Sequence, residues 1–309
     1  MPHYTMLDQQ QLFVREVGQG EPVLVLSGLG MSSWQWLPYI ALSLRRRKFY
    51  IPDFRGFGQS KHCEIPNEPE YQNDAIASHW RDVDCLLEQI GQNENLSQSI
   101  DVIAYSMGAT ISMHGMKYGN FASKIKRYIH LDQSPCIRNQ SDWKYGLYGD
   151  QQATFLNILK RMLSLLKPYA TQHQPIRSLP KSIQHQLITL FNEFVALQSK
   201  NNRLANFDDY QIIQHLKINL LPFKTIDYLY WYLHNYQLHD DDYRQTLISF
   251  TKPAYFLIGK HSALYPSDGQ IAIAKQLKDA KFHIFPRAGH TLIVNQPLHF
   301  TRILNQILL

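Results

Sequence analysis

Apolar residues along this chain follow two alternating patterns. Short runs of strand length, Leu12 to Val17, Pro22 to Leu26, Phe49 to Ile51, Ile100 to Tyr105 and Arg127 to Leu131, each lead into a polar or glycine-bearing loop. Between them, Ala75 to Ile90 carries apolar residues at helical spacing (Ala75, Ile76, Val83, Leu86, Leu87, Ile90), and Met107 to Tyr118 reads as a second helix. Parallel strands need a crossover, and a helix supplies it. The alternation therefore predicts an α/β fold with a mainly parallel sheet covered on both faces.

After Pro135 the pattern changes. Ala153 to Leu166, Ile183 to Gln198 and Ile226 to Tyr236 have helical character, and the next strand-like run is Ala254 to Ile258. A helix near Gln270 to Leu277, a strand at Phe282 to Phe285 and a helix at Leu298 to Leu308 follow. The expected organisation is a sheet core built from residues 1–133 and 249–309, interrupted by a helical cap insertion over 134–248. No repeat recurs along the chain, which excludes a solenoid.

With 44% hydrophobic and 18% charged residues in 309, the chain can bury a substantial core. Cys63, Cys85 and Cys136 are an odd, scattered set without CxxC spacing, so neither a disulfide framework nor a zinc site is expected. No apolar run approaches the roughly 20 residues of a bilayer span. Met1 to Gln10 lacks the cationic and apolar parts of a secretory signal, and a cytoplasmic location is expected. The net charge is +6, yet the one dense basic run, Arg45 to Lys48, has no interleaved aromatic residues. It reads as a solvated helix end leading into the strand at Phe49, and no nucleic-acid partner is expected.

Ser106 in Ala104-Tyr105-Ser106-Met107-Gly108 stands between a predicted strand and a predicted helix, with small residues two positions to either side. That is the spacing of a nucleophile elbow, where a sharp turn holds the hydroxyl clear of the backbone. A hydroxyl is a weak nucleophile and needs a base, which His290 in Ala288-Gly289-His290 can supply after the final strand. The oxyanion formed in acyl transfer needs preorganised donors, and the backbone N–H groups of Leu29 and Met107 are the candidates.

The elbow, Ser27-Gly28-Leu29-Gly30, Asp53-x-Arg55-Gly56-x-Gly58-x-Ser60 and Gly289-His290, in this order, resemble the α/β-hydrolase superfamily over essentially the whole chain. The resemblance implies an eight-stranded sheet, a Ser–His–acid triad and no metal or organic cofactor. Gly28-x-Gly30 also lacks the third glycine of a dinucleotide loop. Three departures stand out. Ala104 replaces a more frequent glycine, and Ser27 occupies a position where many members carry histidine. In Gly259-Lys260-His261-Ser262-Ala263-Leu264-Tyr265-Pro266, Ser262 holds the position where many relatives place the acid. Some members supply the acid after the strand that precedes the cap. This assigns Asp132 in Leu131-Asp132-Gln133 the task of orienting His290, with Asp268 as the rival.

Asp53 and Arg55 read as a structural loop. Tyr228, Tyr230, Trp231 and Tyr232 fit either a packed core or an acyl pocket, and packing is favoured because neighbours on a helix point to different faces. The resulting expectation is a carboxylic ester hydrolase acting on small or medium apolar esters through an acyl-enzyme on Ser106. Cofactor-free dioxygenases, carbon–carbon bond hydrolases and non-catalytic receptors share the fold and remain alternatives. Serine at the elbow argues against the dehalogenases and epoxide hydrolases, which use aspartate there.

Overall fold

The computed structural model describes residues 3–93, 99–171, 173–198 and 223–309. Among them, eight strands form one sheet: β1 (His3–Thr5), β2 (Gln11–Gly18), β3 (Glu21–Leu26), β4 (Arg47–Pro52), β5 (Ile100–Tyr105), β6 (Ile125–Leu131), β7 (Ala254–Gly259) and β8 (Ala280–Phe285). Their order is β1-β2-β4-β3-β5-β6-β7-β8. The β1–β2 and β2–β4 pairings are antiparallel, and all pairings from β4 across to β8 are parallel. The expected α/β fold is present. β1 escaped the sequence reading because three residues carry too little pattern to register.

The longer helices are α1 (Ala75–Asn93), α2 (Met107–Tyr118), α3 (Gln152–Leu166), α4 (Lys181–Gln198), α5 (Ile226–Leu238), α6 (Ser267–Ala274) and α7 (Pro297–Leu308). Alternate strand residues feed two cores, because successive side chains leave opposite faces of a strand. Leu24, Leu26, Val102, Ala104, Phe256 and Ile258 join Val83 and Leu86 of α1 and Ala109 and Ile111 of α2. Val23, Val25, Ile103, Ile129 and Leu257 join Trp36 and, from α7, Phe300 and Leu304.

Between β6 and β7 the described residues form no strand, and α3 packs against both α4 and α5. Residues 199–222 of the expected insertion lie outside the described residues. No described helix is long and apolar enough to cross a membrane.

The basic run corrects one expectation. Arg45 and Arg46 are exposed, but Arg47 opens β4 and is buried, paired with Glu21 and the Leu308 carbonyl and lying 3.1 Å from Asp101. Lys48 lies 3.4 Å from Glu16. The run enters the sheet at its third residue, where carboxylates on β3 and β5 meet it.

Candidate active site

Ser106 sits at the junction of β5 and α2 with φ 52° and ψ −121°. Its amide donates to the Leu131 carbonyl at 3.1 Å, which ties the turn to the end of β6. Gly108 is required by a close approach: a Cβ there would stand 2.1 Å from the Leu26 carbonyl oxygen of β3. The helix thus crosses the strand edge where only a bare backbone fits. Ala104 is accommodated without difficulty, its residue pairing with Leu26 and His130 in the sheet ladders.

His290 follows β8 and reaches back over the ends of the central strands. Its Nε2 lies 2.9 Å from Ser106 Oγ, and its Nδ1 lies 2.8 Å from Asp132 Oδ2. The imidazole stacks on the Tyr105 ring at 5.4 Å and meets the Tyr265 ring at 5.7 Å. Tyr105 also donates its hydroxyl to the His290 carbonyl at 3.0 Å. Burial, and after it the Asp132 carboxylate, hold the Tyr105 hydroxyl well above the usual phenol range, so it remains a donor. Ser106, His290 and Asp132 are therefore brought together, whereas Asp268 is exposed on the first turn of α6.

Asp132, itself at positive φ, is fully buried, and its carboxylate oxygens accept four hydrogen bonds. Oδ1 accepts the Gly259 amide at 2.8 Å and Gln270 Nε2 at 3.2 Å. Oδ2 accepts the Ser262 hydroxyl at 2.6 Å in addition to His290. Sequence reasoning left Ser262 without a role and missed Gln270 altogether. The serine where a carboxylate was expected was a signal that something else occupied its partner. A glutamine inside an otherwise ordinary helix gives no such signal.

A cavity of about 380 Å³ opens beside Ser106 and His290. Its wall includes Gly28 and Leu29 from the loop after β3, Tyr105 and Tyr265 beside the imidazole, and apolar residues of α3, α4 and α5 such as Phe155, Met162, Phe191 and Leu229. No Asp, Glu, Lys or Arg is among its described lining residues. A Cβ on Gly28 would stand 3.4 Å from Ser106 Cβ, which places the amide-bearing loop at Leu29 next to the elbow. Met107 is the first residue of α2, so its N–H has no acceptor within the helix. Ser27, the other departure in this loop, accepts the Trp36 indole N–H at 2.9 Å.

The aromatic cluster of α5 is mostly packing, as favoured from sequence. Tyr228 donates to the Cys63 carbonyl at 2.7 Å, and Trp231 is buried. Tyr232 is buried with its hydroxyl 2.7 Å from His79 Nε2, while its ring also lines the cavity. Asp53 accepts the amides of Ser33 and Gln59, and Arg55 grips Asp82 through Nε at 2.6 Å and Nη2 at 2.8 Å. Both tie turns together and neither lines the cavity.

The family model for the alpha/beta hydrolase fold matches residues 21–297. The AB hydrolase superfamily protein YisY of Bacillus subtilis (strain 168) is 22% identical over 293 residues, covering 94% of this chain and 92% of its own. Among solved structures, an esterase from Exiguobacterium antarcticum superposes with a TM-score of 0.69 at 16% identity, covering 99% of this chain and 98% of its own. The enol-lactonase from Burkholderia xenovorans LB400 gives a TM-score of 0.67 at 14% identity, with 99% of each chain covered. With the match running from β3 to the start of α7, this chain belongs to the alpha/beta hydrolase fold family.

Proposed function

We propose that the protein is a serine hydrolase that cleaves uncharged, apolar carboxylic esters of small or medium size. The observation that carries this reading is the hydrogen-bonded series of Ser106, His290 and Asp132, at 2.9 and 2.8 Å, opening on a cavity with no charged residue among its described lining. Ser106 Oγ attacks the carbonyl carbon while its proton passes to His290 Nε2. The Leu29 and Met107 amides hold the oxyanion. Collapse of the tetrahedral species expels the alcohol oxygen, which takes the proton from Nε2 and leaves the acyl group on Ser106. Water, deprotonated by the same nitrogen, then releases the acid and restores the serine. Asp132 accepts the hydrogen bond from Nδ1–H throughout and stabilises the imidazolium, and the same bond keeps Nε2 facing the reaction.

Residues 134–248 act as the cap in this reading, with 1–133 and 249–309 as the core. The helices α3 to α5 supply the apolar wall that excludes water and selects substrate shape. The test is fluorophosphonate labelling with a panel of short and medium acyl esters, applied to the parent, Ser106→Ala and Asp132→Asn. Labelling and ester turnover should vanish in Ser106→Ala, and kcat should fall by roughly 10³–10⁴-fold in Asp132→Asn. A folded Ser106→Ala protein with undiminished turnover would sink the proposal.

A further inference from the structure

The carboxylate that faces His290 lies at the end of β6, but three of its four donors belong to the next part of the sheet. Gly259 ends β7, Ser262 lies in the loop that follows, and Gln270 projects from α6. The segment that lacks the acid holds it in place. Ser262 alone among the three shares an oxygen with the imidazole, since both its hydroxyl and His290 Nδ1 reach Oδ2.

The direction of that hydroxyl is fixed. A serine hydroxyl has one proton to give and two lone pairs to receive. Ser262 Oγ lies 3.3 Å from the Tyr265 amide, which donates to it, so its own proton is free to point at Asp132. The Ser262 amide in turn donates to the Gly259 carbonyl at 3.2 Å, which fixes the turn bearing the side chain. Asp132 is fully buried and Ser262 partly so, and a side chain that fills the place of the hydroxyl leaves Oδ2 without a replacement donor. An Oδ2 relieved of Ser262 can tilt toward other partners and carry the imidazole with it.

We propose that Ser262 is a positioning residue: its hydroxyl pins the Asp132 oxygen that orients His290 toward Ser106. The inference rests on the serine hydrolase reading above. It predicts a defect in chemistry transmitted through Asp132, and therefore coupled to it, where a merely structural serine would act independently of Asp132.

The experiment measures fluorophosphonate labelling rates and ester kcat and KM for Ser262→Ala and for the shape-matched pair Ser262→Thr and Ser262→Val. Each is made with Asp132 intact and with Asp132→Asn, and folding is monitored by thermal melting. Ser262→Ala and Ser262→Val should lose about 10- to 100-fold in kcat with little change in KM, by analogy with hydrogen bonds that orient metal-ligating side chains. Ser262→Thr should stay close to the parent, and the losses should disappear in the Asp132→Asn background. The Thr and Val pair keeps the test decisive if Ser262→Ala unfolds, because the two differ by a hydroxyl and not by shape. Parent-like rates in Ser262→Val, or equal losses in both Asp132 backgrounds, overturn the proposal. Ser106→Ala separates the two claims: if it abolishes activity while Ser262→Val does not, only the positioning role fails. If activity survives Ser106→Ala, the hydrolase reading fails and the positioning role with it.

Discussion

At Ser106 the backbone occupies a region, φ 52° with ψ −121°, that L side chains rarely adopt. Holding a residue there costs of order 1–3 kcal/mol, recovered from the surrounding packing. Glycine adopts positive φ freely, although it gains more freedom on unfolding. Ser106→Gly is therefore expected to be more stable than Ser106→Ala by about 1 kcal/mol, both being inactive. Urea unfolding of the two variants decides this, and equal midpoints would show that the elbow stores no strain. Position 108 should likewise favour glycine over alanine, for a different reason: in Gly108→Ala the added methyl meets the Leu26 carbonyl of β3. A loss of about 1–3 kcal/mol is expected in the same measurement.

At the scale of elements, the meeting of β3, β4 and β5 at Arg47 illustrates what a chain pattern can and cannot carry. Replacing Arg47 by Met leaves Asp101 buried with the Arg127 guanidinium 3.6 Å away, and should cost about 3 kcal/mol in denaturant unfolding. A loss under half a kilocalorie would return Arg47 to the solvated class in which sequence placed it. Strand and helix periodicities were local and so were legible, as were the elbow and the loop bearing His290. Arg47 was misread because its partners are chosen by sheet order, which puts β3 between β4 and β5 and leaves no trace in the run itself. The carboxylate was legible only through the family resemblance, which assigned the role to Asp132. His290 is met by Asp132 and not by Asp268, and Gln270 became visible only when its side chain was seen to reach from α6 to the end of β6. Among the described residues, α3 to α5 present no charged side chain to the cavity, so an ionised group on the ester is desolvated there without a counter-charge from these helices. Esters bearing a terminal carboxylate should show kcat/KM at least about 100-fold below their uncharged counterparts, and comparable values would refute the apolar pocket.

For the whole molecule, the buried histidines set the acid limit of stability. His79 and His130 are buried on the side of the sheet facing α1 and α2, and burial pushes them down to about 3 and about 4 respectively. The Arg55 charge adds to the effect at His79, while the Gln133 carbonyl and Asp132 partly oppose it at His130. Both are neutral in the fold when an unfolded chain, with histidines near 6.5, already binds protons. Their neutral burial is therefore without penalty above pH 6.5, and stability falls below it, by up to about 1.4 kcal/mol per pH unit for each histidine. Urea midpoints measured from pH 7.5 to 5 should decline, and His79→Phe should flatten the slope; a level profile in the parent would contradict this. Ser106, Asp132, the donors Gly259 and Ser262, and His290 come from the ends of β5, β6, β7 and β8 or the loops that follow them, and these strands are consecutive neighbours in the sheet. In the proposed reading, a nascent chain thus carries Ser106 as an ordinary alcohol until the segment after β8, which bears its base, has been made. Under the proposed function, reactivity would switch on only when β8 docks, so hydrolysis would report completion of the sheet, and partly made chains would be spared an active nucleophile.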